Sequence, residues 1–264
     1  DFFGKLASRY RFTTTPPQML LTHPLPESRI SEARDRAQQY PHRYVPDNLN
    51  FQLAKARIQV RFSSYSDDAV LSMFEKQLNK QTYSFKEAAL YGKALALFRL
   101  KKFDESEKII DELLKIDDNN LFYLDTKTDL LNERKDYAQA TKLLETQRKM
   151  KPTSQVINAN LANIYIEAGD PAKAIPLLED MIFLDKQNQL PYQLLNLAYK
   201  KLGNQGMEYF SNAELMALGA NYKGAIDQLN FAYRASEGNP LQLARIEARI
   251  RQFKQADKEM DALK

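Results

Sequence analysis

The chain has 264 residues, of which 44% are hydrophobic and 27% are charged, so it can bury a substantial core and does not have the composition of a disordered protein. The net charge of +4 is a small surplus spread along the chain, and no stripe of Lys and Arg interleaved with aromatics predicts nucleic-acid binding. The absence of cysteine excludes disulfides, thiolate metal ligands and a cysteine nucleophile. No apolar run reaches the roughly 20 residues that cross a bilayer.

Residues 1–47 show no periodic pattern. They begin with an aromatic-rich segment, continue through a Thr/Pro loop and contain a His-Pro pair within "LLTHPLPESRI". Proline suits the first turn of a helix, and an acidic residue favours the positive end of the helix dipole. Pro26 and Glu27 therefore predict a helix that runs from about Pro26 to Gln39.

The chain contains no complete active site that sequence patterns can reveal. A zinc peptidase needs two histidines one helical turn apart and a general-base glutamate. The two histidines here, His23 and His42, lie far apart, and no His-Glu pair, glycine-rich phosphate loop or GxSxG motif is present. Since the sequence starts at Asp1 without an initiator methionine or a signal peptide, we expect a mature product or a fragment of a longer protein.

The rest of the chain, 48–264, is predicted to be one helical array. Residues 48–80 have the pattern of a degenerate helical pair, and Ser66 or Asp67 is the expected N-cap of its second helix. Three consecutive 34-residue units follow at about 87–120, 121–154 and 155–188.

Each unit is predicted to form two helices that contact each other through small side chains. In "LANIYIEAGDPAKAI", Ala162 and Ala174 hold the eighth and twentieth positions of the third unit, and Ala94 and Ser106 hold the same positions in the first. Small residues at these positions let the two helices of a unit approach closely. The pattern resembles the tetratricopeptide repeat, and it predicts an all-α helical solenoid.

The register then slips by half a unit. Residues 189–205 supply an extra first-type helix, a new unit runs over about 206–239, and a capping helix is predicted at 241–263. An extra helix would change the path of the array, so we expect a bend or a pocket near 203–212.

A solenoid of this kind binds partners on the face lined by its first helices. Two units place an apolar entrance beside an acidic stripe on this face, which predicts a groove for an extended peptide with apolar anchors and basic residues. The alternative is that the aromatics pack within the protein and that the acidic residues form a solvated face. The residues concerned are Tyr91, Leu95, Phe98, Phe122, Asp125, Asp129 and Glu133.

One short segment carries a more specific resemblance. In "LLTHPLPESRI", the residues Thr22, His23, Pro24, Arg29 and Ile30 are similar to the motif that closes the peptidase domain of the HtpX/CAAX-protease superfamily of zinc metallopeptidases. The order of this motif and a tetratricopeptide array resembles members of that superfamily that act in the periplasm on the assembly of β-barrel outer-membrane proteins.

The resemblance implies that residues 1–47 are the C-terminal edge of a metallopeptidase domain and a linker. The family's His-Glu-x-x-His helix and third ligand would lie before Asp1, so the parent enzyme would use zinc, whereas this segment alone would bind none and would be inactive. It further implies that His23 lies at the edge of the zinc site, with Arg29 supporting its loop. His23 would there occupy the open metal position as a latch or stabilise the oxyanion, unless it is only a turn residue.

Two functions remain open. In the first, the chain is the regulatory part of a periplasmic zinc metalloprotease and chaperone, and its array recruits β-barrel outer-membrane proteins and their assembly machinery. In the second, it is a stand-alone tetratricopeptide adaptor or chaperone. A His-Glu-x-x-His motif encoded before Asp1 would favour the first, and a signal peptide ending there would favour the second.

His23→Ala in the full-length enzyme tests the role of this histidine. A latch predicts faster proteolysis of an unfolded substrate, because the open zinc position is freed, whereas oxyanion stabilisation predicts slower proteolysis. His42→Ala is the matched control, since we assign His42 to the linker. Proteolysis at the parental rate would reject both roles for His23.

Overall fold

The computed structural model describes residues 26–40 and 46–262, and in these residues the chain forms thirteen α-helices and no strand. This confirms the all-α class. The helices are α1 Pro26–Gln38, α2 Leu49–Arg61, α3 Asp67–Asn79, α4 Lys86–Arg99, α5 Phe103–Ile116, α6 Leu121–Glu133, α7 Tyr137–Met150, α8 Gln155–Glu167, α9 Pro171–Leu184, α10 Gln189–Lys201, α11 Gln205–Leu218, α12 Tyr222–Ala235 and α13 Pro240–Asp261.

The chain divides into two compact units, Asp1–Asp47 and Asn48–Lys264. The first contains α1, which begins at Pro26 as predicted and ends one residue earlier than expected, at Gln38. The second contains α2 to α13, which form the array.

Short polar side chains start most helices of the array. Each accepts a hydrogen bond from a backbone N–H two or three residues further on, which satisfies a donor that has no partner within the helix. Ser66 caps α3 in this way, since its Oγ accepts from the N–H of Ala69 at 3.3 Å, so the predicted cap is confirmed at Ser66. The other residues that cap in this way are Asn48, Asn120, Asp136, Ser154, Asn188, Asn204, Asn221 and Asn239.

The paired helices pack through small buried residues. Ala94 and Ser106 are fully buried between α4 and α5, and the Ser106 hydroxyl donates to the carbonyl of Ala94 at 2.8 Å. Ala162 and Ala174 are likewise fully buried between α8 and α9. A larger side chain at these positions would separate the two helices, because interiors are close-packed and leave no space for it.

The small-residue contact changes place near the end of the array. The corresponding positions of α10 and α11 carry Asn196 and Glu208, and the Asn196 Nδ2 donates to the Glu208 carbonyl at 3.0 Å. Ala213 and Ala225 are instead fully buried between α11 and α12, which form the most extensive helix contact of the array. Helices α10 and α11 thus remain in extensive contact without a small-residue pair, and the next small pair lies between α11 and α12.

At the start of the array, α2 and α3 pack mainly against α4 and only slightly against each other. The two helices predicted for 48–80 are present, but a third helix lies between them. Gly92 of α4 makes this packing possible, because the ring of Phe74 from α3 lies where a side chain at residue 92 would be. A Cβ there would be 2.2 Å from the ring Cε1, and Phe74 is 1% exposed.

Gly92→Ala is therefore expected to destabilise the array by about 1 to 3 kcal/mol, although alanine favours helices by about 1 kcal/mol over glycine. The measurement is the free energy of unfolding by urea. Phe74→Leu provides the control background, because removing the ring should reduce the cost of the added methyl group. A Gly92→Ala protein more stable than the parent would contradict this packing.

Candidate functional site

The structure buries the aromatic entrance that the sequence predicted on the first helices. Tyr91 is 0% exposed and Leu95 is 8% exposed, while Phe98 is half-buried with its ring centroid 5.4 Å from that of Phe103. Phe122 is half-buried and meets Tyr91 edge to face, with ring centroids 5.9 Å apart. Burial therefore supports the packing interpretation for Tyr91 and Leu95, which no ligand can reach without rearrangement.

Arg57 of α2 joins three helices at this place. Its Nε and Nη2 donate to the Tyr91 Oη at 2.8 and 2.5 Å, and its Nη2 lies 2.8 Å from the Asp125 Oδ2. Its guanidinium carbon is 5.0 Å from the centroid of the Phe122 ring. Asp125 also accepts a hydrogen bond from the Asn160 Nδ2 of α8 at 2.9 Å. Asp125 thus belongs to a polar network that holds α2, α4, α6 and α8 together.

Asp129, one turn further along α6, lies in a different environment. Burial raises the pKa of its carboxyl to about 7, with a further contribution from the charge of Asp125, and Arg61 and Arg57 only partly offset the increase. Glu133, the last residue of the predicted acidic stripe, is exposed. The three acidic residues of the stripe therefore have different environments. Asp125 is in an ion pair, Asp129 is half-buried and Glu133 is exposed.

A cavity of about 520 Å³ lies near the predicted change of register. Helices α9, α10, α11 and α13 line it, so the pocket expected near 203–212 is present. Its apolar lining comes from Ile182, Phe183, Leu195, Met207 and Phe210. Phe183 is 82% exposed, and it therefore offers its ring to any molecule that enters.

Two arginines of α13 line the same cavity, and in the described residues only one of them is paired with a carboxylate. Arg249 forms a bidentate pair with Glu214 of α11, with Nε to Oε1 at 2.7 Å and Nη2 to Oε2 at 2.6 Å. Arg245 instead stacks on Phe210, with its guanidinium carbon 4.8 Å from the ring centroid. The sequence predicts neither arginine as a site residue, because its pattern over 241–263 indicates only a capping helix.

Buried tyrosines complete the lining. Tyr192 and Tyr199 of α10 are 9% and 6% exposed, and burial raises the pKa of both hydroxyls. The charge of Glu179 raises the pKa of Tyr199 further, and that of Arg245 lowers it. The cavity thus combines an apolar floor with hydroxyls and charges of both signs.

The described residues contain no metal site, since nowhere in 30–40 and 46–262 do three or more His, Asp or Glu side chains cluster as ligands. His23 and His42 lie outside the described residues, and Arg29 lies in the first turn of α1. Residues suited to zinc are therefore not assembled in this part of the chain. In the same part, no helix combines the length and apolar character that crossing a membrane requires.

Comparison with known proteins agrees with the fold. A family model described as tetratricopeptide repeat matches residues 131–197. Among solved structures, PilW, a type IV pilus biogenesis factor, has a TM-score of 0.54 and 16% sequence identity over 81% of this chain and 97% of its own. The chain is therefore an all-α tetratricopeptide-repeat solenoid.

The sequence relatives are more specific. A β-barrel assembly-enhancing protease of Escherichia coli K12 is 34% identical over 254 residues, which are 96% of this chain and 52% of the relative. A Vibrio cholerae protein provisionally given the same name is 38% identical over 253 residues, with the same coverage. The chain is a relative of the β-barrel assembly-enhancing proteases, and it spans about half of their length.

Asp129→Asn is expected to stabilise the protein at pH 8 by on the order of 1 to 3 kcal/mol, because folding raises the pKa of this acid above its unfolded value. The contribution of this carboxyl to the free energy of unfolding falls as pH rises from about 4 to about 7, because burial disfavours its ionised form. The amide of the variant does not ionise, so the variant does not lose this stability. The melting temperatures of variant and parent should therefore converge near pH 4.

Asp227→Asn is the matched control, since Asp227 is exposed. It should leave the pH dependence of melting unchanged. An Asp129→Asn protein that melts at the parental temperature at both pH values would show that burial does not perturb Asp129.

Proposed function

We propose that the chain is the protein-interaction part of a periplasmic metalloprotease and chaperone that acts in the assembly and quality control of β-barrel outer-membrane proteins. In this function, the array recruits unfolded β-barrel proteins or components of their assembly machinery. The cavity between α9 and α13 carries this proposal, and the names of the relatives indicate the class of client.

The cavity suits an extended polypeptide better than the face around Tyr91. It is open to a partner through Phe183, whereas Tyr91 and Leu95 are already packed. Apolar lining with a few polar groups is typical of binding pockets, and volumes of about 300 to 1,000 Å³ are usual for them. Unfolded β-barrel proteins expose alternating apolar side chains, which such a cavity can bind.

Zinc enters the proposal through the resemblance of the His23 segment to the zinc metallopeptidase motif, and the relatives are named as proteases. The parent enzyme would bind it with residues that this chain does not supply, so we assign to the array the selection of the client and not the cleavage. His23, with Arg29 in support, remains the candidate link between the array and the catalytic site.

Phe183→Ala tests the proposal. The probe is a urea-unfolded, fluorescently labelled β-barrel outer-membrane protein, diluted to nanomolar concentration with the 264-residue chain, and the measurement is the Kd by fluorescence anisotropy. Because burying a phenylalanine side chain contributes about 1.5 to 3 kcal/mol, we expect binding to weaken by about tenfold or more.

Phe62→Ala is the matched control, since Phe62 is 78% exposed and does not line the cavity. It should bind the probe as the parent does. No binding by the parent chain would overturn the proposed function. Equal weakening of probe binding by both variants would show that the cavity is not the binding site.

A further inference from the structure

We propose that this cavity recognises the C-terminal end of a polypeptide, with the apolar side chain of the last residue on the cavity floor and the terminal carboxylate on Arg245. The inference rests on the proposed function and narrows it to one part of the client. It is carried by an exposed arginine that lines an apolar cavity and has no acidic partner among the described residues.

Arg245 and Arg249 differ although they lie one turn apart on α13. Both carboxylate oxygens of Glu214 accept hydrogen bonds from Arg249, one from its Nε and one from its Nη2. Within 30–40 and 46–262, no carboxylate pairs with Arg245, whose recorded contact is the face of Phe210. Lys186, which follows α9, also lines the cavity, is exposed and has no ion pair in the described residues. The cavity therefore presents one paired arginine and two cations available to an anion, and of these two only Arg245 has the planar guanidinium that binds both oxygens of a carboxylate.

The position of the Arg245 guanidinium over the Phe210 ring leaves its N–H groups available to a carboxylate. A guanidinium that lies against an aromatic ring uses its face for the ring and keeps its N–H groups at the edge. Those N–H groups match the two oxygens of a carboxylate and bind them side by side. An apolar group next to the carboxylate would then meet Phe210, Met207 and Leu195, which line the same cavity.

Other groups of the cavity favour a polypeptide over a fatty acid. Glu179 lines the cavity, and it has no ion pair with any residue in the described part of the chain. A fatty acid has no donor for this carboxylate, whereas the backbone N–H groups of a peptide can donate to it. Glu179, Arg245 and Tyr199 all line this cavity, so a hydrogen-bond acceptor and a cation are both present in the site.

The size of the cavity agrees with the end of a chain. A volume of about 520 Å³ accommodates one or two large side chains together with a terminal carboxylate. Capture of a C-terminal carboxylate is also an established mode of peptide recognition. The charges and the volume together point to a chain end that terminates in a large apolar residue.

A double-mutant cycle tests the inference. The probes are two fluorescein-labelled decapeptides with phenylalanine as the last residue, one with a free carboxylate and one with a C-terminal amide. The 264-residue chain is compared with its Arg245→Gln variant by fluorescence anisotropy. We expect the parent to bind the free acid at least tenfold more tightly than the amide, and Arg245→Gln to abolish this difference by weakening only the acid.

Arg234→Gln is the matched control, because Arg234 also lies over an aromatic ring, that of Phe231 at 6.0 Å, and does not line the cavity. It should preserve the preference for the acid. Arg245→Lys should retain only part of it, since lysine keeps the charge and loses the fork.

Equal affinity of the parent for acid and amide would overturn the inference, and so would equal weakening of both peptides by Arg245→Gln. Displacement of the peptide by decanoate at lower concentration than by the unlabelled peptide would assign the cavity to fatty acids instead. These results leave the proposed function intact if the unfolded β-barrel protein still binds through Phe183. If that protein does not bind, both proposals fail.

Discussion

The close approach of paired helices through small buried residues is the constraint on which the array depends. Where Ala162 meets Ala174, two helices lie so near that neighbouring pairs can stack at a constant repeat. Between α10 and α11 the small pair is replaced by Asn196 and Glu208, and a small pair returns between α11 and α12 at Ala213 and Ala225. The cavity lies next to this change, so a local departure from the repeat accompanies the candidate site.

The ligand face predicted near the start of the array and the cavity near its end differ in accessibility. At the first end, α2 lies against the face that the sequence assigned to ligands, and Arg57 satisfies both the Tyr91 hydroxyl and Asp125. Buried polar networks of this kind hold a single arrangement because each member would be costly to leave unpaired. At the other end, Arg245 has no acidic partner in the described part of the chain. The ligand face predicted at Tyr91 is thus covered, whereas the cavity beside α13 is open to a partner.

The sequence predicted the helices well because their signals are local. The spacing of Ala162 and Ala174 and the cap at Ser66 follow from a few neighbouring residues, and the structure agrees with both. The site was predicted less well because it depends on contacts between distant segments. Nothing near Tyr91 indicates that Arg57, in the degenerate helical pair at 48–80, will cover it. Nothing near Arg245 indicates which face of α13 will meet Phe210.

The pairing of Glu214 with Arg249 has a further consequence for ligand binding. It ties the last helix of a solenoid to α11, and terminal helices of solenoids have neighbours on one side only. Local opening at this end would separate α13 from the array and remove one wall of the cavity. A ligand that requires this wall must therefore stabilise α13 against fraying. Occupancy of the cavity and order of the C-terminal helix are thus two aspects of one equilibrium, which amide hydrogen exchange in α13 would report directly.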